Sequence, residues 1–304
     1  MTSLKSIRKG SHVKNSAVLL FALSLLSFQA TAQTTIPKKT FKLFILAGQS
    51  NAAGCGNGEE LKGDEATTSG RVLQYIVPIE QEGRTSVWAP MAPYPRVDER
   101  MGIKKCAFGP ELLFSKTVAK AMPDDIIGVV KQARGGTSII FWDKDWKQPD
   151  WGKEMTEALG RKTKGERVLY DDLIKNVKYA VGLAQKMPEV GKVEICAVLW
   201  VQTERDCTRG EKVANEYKGN MLRLIHNVRT DLGVPDLPFL FMDAHSGAAQ
   251  GIVKAGLREV EKTVPNTKLV TVDGIPIQGV HFRTAGQIEL GTRFAKAWLE
   301  MTRR

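Results

Sequence analysis

Between residues 41 and 300, apolar runs too short to be helices alternate with longer segments whose apolar residues recur every three or four positions. FKLFILAG, DIIGVV, VEICAVLWVQ, PFLFMD and TKLVTV are the short runs. VEICAVLWVQ is nearly continuous in apolar residues, as a central parallel strand covered on both faces requires. The intervening segments repeat at helical spacing. Leu169, Leu173, Val177, Ala180, Ala184 and Met187 share one face over 169–187, and Val213, Tyr217, Met221, Leu224 and Val228 share one over 211–229. Residues 250–263 form another helix, and PELLFSKTVAKAMP reads as one between Pro110 and Pro123. The last helix follows TAGQ, where Thr284 and Gln287 have the spacing of a capping box, with Ile288, Gly291, Ala295 and Trp298 on its buried face. Strand–helix alternation with five strands predicts an α/β three-layer sandwich around a mainly parallel, five-stranded sheet. Ligands of such sheets bind beyond the carboxyl ends of the strands.

The chain has 304 residues, and its first 32 read as an export signal. Four basic and no acidic residues precede AVLLFALSLLSF, and ATA precedes Gln33, so cleavage is expected after Ala32. The apolar run is shorter than the roughly 17–25 residues that span a bilayer, so no stable membrane insertion is expected after cleavage. The destination is periplasmic or extracellular. Residues 33–304 then form a single domain with long loop insertions at 54–107 and 143–168. Trp88, Trp142, Trp146 and Trp151 in those insertions are candidate sugar-stacking surfaces. Removing Lys5, Arg8, Lys9 and Lys14 lowers the formal charge from +11 to +7. The remaining charge is dispersed, with no basic stripe interleaved with aromatics, which argues against a nucleic-acid partner. Cys55, Cys106, Cys196 and Cys207 match no zinc spacing. Cys196 is expected in the core, and the other three are the better bridge candidates in an oxidising compartment.

Four segments fall at strand ends. Ser50 in AGQSNAAG follows the first strand, where freed backbone N–H groups favour negative charge; a nucleophilic serine needs that place, and so does a plain capping serine. Gly135 and Gly136 follow the second run, where their amides can approach a ligand unhindered. LWVQTERD carries Gln202, an amide donor, with Glu204 and Asp206 as acceptors. GVHFRTAGQ carries His281. A base for Ser50 must be His226, His245 or His281, and the loop position favours His281 with His245 as competitor.

GQSN, the Gly-Gly-Thr loop, the Trp-x-Gln-x-Glu-x-Asp segment and His-Phe before the last helix, in that order, resemble the SGNH hydrolases. More closely, they resemble the sialate O-acetylesterase and acetylxylan esterase group, carbohydrate esterase family six, over about residues 41–300. The resemblance implies a flavodoxin-like sheet and a serine hydrolase that removes acetyl groups from O-acetylated polysaccharide or glycan through an acyl-enzyme, with no cofactor or metal. It implies Ser50 as nucleophile and His281 as base. It also implies the Ser50 amide, an amide of Gly135–Gly136 such as that of Gly136, and the Gln202 side chain as oxyanion donors. Asn51 and Glu204 would hold the loops in register. The sequence departs from the pattern at Thr203, where the family carries glycine, and at Gln278, where it carries the aspartate that orients the histidine. Three outcomes stay open: a Ser50–His281 dyad oriented by Gln278 or by backbone, a carboxylate from elsewhere with Asp273 nearest in sequence, or lost activity. The alternative function is a catalytically impaired carbohydrate-binding protein using the same cleft. Hydrolysis of phospholipid or short-chain esters would keep the chemistry and change the substrate.

Overall fold

The computed structural model describes residues 37–76, 86–145 and 169–303. The strand β1 (Lys39–Gly48) is its axis. Successive side chains of a strand point to opposite faces. Phe41, Leu43, Ile45 and Ala47 therefore enter one apolar cluster while Phe44 and Leu46 enter the other. Around it stand β3 (Val72–Ile76), β4 (Val87–Pro90), β7 (Ile126–Ala133), β8 (Val190–Val201), β9 (Phe239–Met242) and β10 (Thr267–Val270). The sheet order is β10-β9-β8-β1-β7-β3-β4, with every neighbouring pair parallel except β3–β4.

The sheet thus has seven mixed strands rather than five parallel ones. The five expected strands are all present, and the 54–107 insertion supplies the other two. β3 extends the sheet beside β7 through Val72 and Tyr75, both buried, and β4 closes that edge antiparallel, with Trp88 packed on Phe41 at 4.8 Å. The rest of the insertion includes a small antiparallel sheet of β2 (Gly56–Asn57), β5 (Tyr94–Pro95) and β6 (Cys106–Phe108).

Helices cover both faces, and each buries most of the stripe its periodicity marks, with Met122, Val213 and Ile288 only partly buried. α3 (Leu169–Ala184), α5 (Glu211–Leu232) and α6 (Gln250–Thr263) lie on one apolar cluster; α2 (Glu111–Ala121) and α7 (Thr284–Thr302) lie on the other. The one-turn helices α1 (Ser50–Ala53) and α4 (Glu204–Cys207) follow β1 and β8. α2 and α7 approach closely at Gly291, where a Cβ would stand 2.3 Å from the Pro110 carbonyl oxygen.

Several local expectations are corrected. Thr284 is the first residue of α7 rather than its cap, and its hydroxyl accepts the Asn57 N–H at 3.0 Å. Gln287 does not close a capping box. Its amide donates to the carbonyls of Asn51 and Phe282, tying the last helix to the first strand-loop. Trp142 is buried edge-on against Trp200 at 5.1 Å, and Trp88 donates to the Ala180 carbonyl, so both tryptophans serve the core rather than a sugar surface. Trp146 and Trp151, most of the 143–168 insertion and the export signal lie outside the described residues. All four cysteines are free thiols, and burial pushes Cys55 up to about 11 and Cys196 and Cys207 up to about 12. Cys196 is only partly buried. Among the described residues no helix is long and apolar enough to cross a membrane.

Candidate active site

β1 ends at Gly48, whose φ of +145° is tolerable without a side chain. A Cβ there would lie 2.0 Å from the Val201 carbonyl oxygen, because β1 and β8 converge at this edge and the Gln49 N–H donates to that same oxygen at 3.1 Å. The convergence carries Ser50 into the first position of α1. Gly135 follows β7 so closely that a Cβ on it would touch the Ser50 Cβ at 3.7 Å. The N–H groups of Ser50, Gly135 and Gly136 find no acceptor among the described residues. Gly136 has a φ of +75°, which turns the chain away immediately beyond this contact.

His281 arrives from the other end of the chain. β11 (Ile277–Gln278) and β12 (His281–Phe282) form an antiparallel hairpin whose two-residue loop begins with Gly279 at φ +63°. That is the place for glycine in a tight hairpin turn. The imidazole Nε2 stands 3.0 Å from the Ser50 Oγ. Ser50 and His281, 231 residues apart, are thus in direct contact. The imidazole is half-buried, and desolvation holds its pKa below the usual 6.5, with Glu204 pulling the other way. It is therefore a neutral base at pH 7.

One side chain fixes this pair. The Asn51 amide donates to the Val280 carbonyl at 3.0 Å, and its oxygen accepts the Phe282 N–H at 3.0 Å, so it grips the backbone on both sides of His281. The same amide donates to Glu204, a buried carboxylate that also accepts the Thr203 N–H at 3.0 Å. The ordinary competitor for the base, His245, sits behind the hairpin. Its Nε2 is 3.3 Å from the Val280 carbonyl and its ring lies 4.6 Å from that of Phe282. His226 is on the exposed part of α5.

Three expected partners are placed elsewhere. Gln202 is fully buried, and its amide donates to the Thr137 carbonyl at 3.0 Å and to Asp206 at 2.6 Å. Both N–H bonds are thereby used, so it braces the glycine loop from beneath rather than facing an oxyanion. The Asp273 side chain is 78% exposed, lies 3.5 Å from Lys254 and makes no pair with His281. The Gln278 side-chain oxygen accepts from Arg283 Nε at 2.9 Å. Among the described residues no carboxylate oxygen comes within 4.0 Å of the His281 ring nitrogens.

Asp206 is an acceptor as its place in LWVQTERD suggests, and Tyr217 is a contributor that was not legible as such. Asp206 accepts from Ser138 and from the Ile139 N–H as well as from Gln202, anchoring the segment after Gly136; total burial pushes its carboxyl up to about 6 against those donors. Tyr217 reads in the sequence as one more core residue of α5, yet its hydroxyl bonds the Gln202 carbonyl at 2.5 Å and side-chain oxygen at 3.0 Å. A tyrosine on an apolar stripe aimed at a polar strand end is the signal that points to it.

A three-layer α/β sandwich presenting a serine–imidazole pair at the carboxyl edge of its sheet is the arrangement of a serine-type carboxylic ester hydrolase. The chain belongs to the carbohydrate esterase family described as sialic acid-specific acetylesterases, whose model matches residues 40–300. It is 30% identical over 279 residues to a probable carbohydrate esterase of Arabidopsis thaliana, covering 88% of this chain and 93% of that protein. The crystal structure of an Arabidopsis thaliana protein superimposes with a TM-score of 0.62 at 25% identity, covering 87% of this chain and 99% of that one. A carbohydrate acetylesterase from Xanthomonas citri (TM-score 0.57, 17% identity, 84% of this chain and 55% of that one) and NanS (TM-score 0.57, 14% identity, 87% and 98%) share the fold.

Proposed function

We propose that this carbohydrate O-acetylesterase works through a Ser50–His281 dyad on an SGNH-type sheet, in which β3 and β4 are additions to a flavodoxin-like five-stranded unit. The observation that carries the reading is the 3.0 Å contact between His281 Nε2 and Ser50 Oγ beside unpaired backbone N–H groups. Ser50 Oγ attacks the acetyl carbonyl carbon as His281 Nε2 takes its proton. The carbonyl oxygen becomes an oxyanion that the amides of Ser50 and of the Gly135–Gly136 pair receive. Collapse breaks the bond to the sugar oxygen, which leaves with the proton from His281. Water then gives a proton to His281 and attacks the acyl-serine, and acetate departs as the proton returns to Ser50.

The imidazolium formed in these steps needs orientation and a counter-charge. Backbone held by Asn51 supplies the orientation, and the buried Glu204 carboxylate supplies negative charge that acts on His281 through space. This replaces the carboxylate that Gln278 does not provide. Acetylated polysaccharide or glycan is the substrate class, residues 33–304 act as one esterase domain, and residues 1–32 direct export.

Acetate release from p-nitrophenyl acetate and acetylated xylan, compared with a Ser50→Ala variant, tests the chemistry. Loss of at least about 10³-fold is expected, and equal turnover rejects Ser50 as nucleophile. A second reading, carbohydrate binding without turnover, is favoured by the engagement of Gln278 with Arg283. Its expected result is calorimetric binding of acetylated oligosaccharide with no acetate released, and steady release defeats it. Mass spectrometry of the protein from its native host should find a terminus at Gln33; an intact Met1 terminus rejects export.

A further inference from the structure

The carboxyl edge of the sheet also holds a concavity. It is a cavity of about 350 Å³ at the ends of β9 and β10, where the loop after β10 faces the first turn of α6. In the order β10-β9-β8-β1, those strands lie two and three places from the one that delivers Ser50. At about 4.8 Å per strand, the cavity is roughly 10–14 Å along the same edge. The β11–β12 hairpin is the partition: Ile277 lines the cavity, and His281 on the paired strand faces Ser50.

The lining selects a ligand chemistry. Lys254 reaches buried Asp243 at 2.9 Å and Asp273 at 3.5 Å. These three groups sum to one negative charge, so an anionic ligand is opposed. The Asp273 carboxylate, 78% exposed, has acceptor capacity left over. The Gly251 N–H has no acceptor among the described residues, and Gln250 beside it is exposed and can both give and take a hydrogen bond. Ile275 and the half-exposed Ile277 form an aliphatic floor. Donors and acceptors set around an apolar surface suit vicinal hydroxyls of a ring whose C–H face packs on carbon.

We infer that this cavity is a subsite for a neutral sugar unit of the same glycan, farther along the chain from the acetylated unit at Ser50. The inference rests on the carbohydrate-esterase reading above. It gives Asp273 a function in binding. The hairpin that carries His281 would then be touched by substrate on both faces, so occupancy of the chain on one side steadies the base on the other.

The test is isothermal titration of the Ser50→Ala protein with acetylated xylohexaose, and with α2,8-linked disialic acid as the anionic contrast. Gly251→Phe fills the cavity from a position where a Cβ meets nothing within 4 Å, and Asp273→Ala removes an exposed acceptor. Each substitution, at an unchanged melting temperature, is expected to raise the Kd for xylohexaose by about tenfold or more, the worth of a hydrogen bond to a charged group. A Kd unchanged within twofold in Asp273→Ala, no binding by the Ser50→Ala parent, or tighter binding of disialic acid would each overturn the subsite. The catalytic reading is judged separately by acetate release from p-nitrophenyl acetate with the wild-type protein, a substrate that does not extend into the cavity.

Discussion

Replacing Asn51 with alanine removes three interactions at once, and their worth follows from their partners. The bonds to the Val280 carbonyl and from the Phe282 N–H, each 3.0 Å, are neutral and contribute about 1 kcal/mol apiece. Donation to the buried Glu204 carboxylate is charge-assisted and contributes about 1.5–3 kcal/mol. Together the loss is about 4 kcal/mol. In a domain of this size that lowers Tm by roughly 8–16 °C. The kinetic consequence is separate, because Asn51 grips both neighbours of His281 and its absence lets the hairpin drift from Ser50. A displacement of about 1 Å costs on the order of 10²-fold in turnover. Thermal unfolding followed by circular dichroism, with p-nitrophenyl acetate kinetics well below the transition, reads both quantities. A Tm within about 3 °C of wild type together with kcat within about threefold refutes the reasoning. The isostere Asn51→Asp keeps the acceptor for Phe282 but sets a second carboxylate against Glu204. It should be less stable than Asn51→Ala at pH 8 and close to it at pH 5, and wild-type stability at pH 8 contradicts the assigned donor.

Gly48→Ala brings a Cβ to 2.0 Å from the Val201 oxygen at a φ of +145°, so soluble folded yield should collapse or stability fall by more than about 3 kcal/mol, as chemical denaturation would show; a near-neutral effect rejects the close approach. Because desolvation lowers the His281 pKa below 6.5, the acid limb of kcat/KM should have its midpoint below that value, and a midpoint above 7 contradicts a neutral base. The stability sign is the same: the unfolded chain takes up a proton that the fold refuses, so the His281 contribution is complete above pH 6.5 and declines as pH falls through the window below it, unless His281→Gln leaves that slope unchanged in pH-dependent unfolding. Gln278 and His281 are directly paired across the hairpin, so Gln278→Asp should bring a carboxylate beside the imidazole, raising kcat severalfold and moving the acid limb upward; an unmoved limb shows that Arg283 captures the new carboxylate instead.

The sequence by itself determined the elements that depend on local periodicity. The five apolar runs became strands, and the helices over 169–184, 211–232 and 250–263 bury nearly the stripes their spacing marks. It also determined that Ser50, the glycine pair, Gln202 and His281 share one edge, because parallel strands joined by helices deliver every strand end to the same side. Alternation of apolar and polar residues was a weaker guide in VLQYI and VWAP, whose pairing with β7 and with each other depends on neighbours distant in sequence. What each polar side chain does was decided only by tertiary structure, since buried donors and acceptors must be matched by whatever the fold sets beside them. Gln202 had an amide to offer, but Thr137 and Asp206, which come to it from other loops, consume both N–H bonds. Asp273 precedes His281 by only eight residues, yet its carboxylate is exposed and lies against Lys254 rather than the imidazole. Asn51 adjoins Ser50 in any reading of GQSN, and only the return of residues 280–282 across 229–231 positions gives its amide both sides of the histidine to hold.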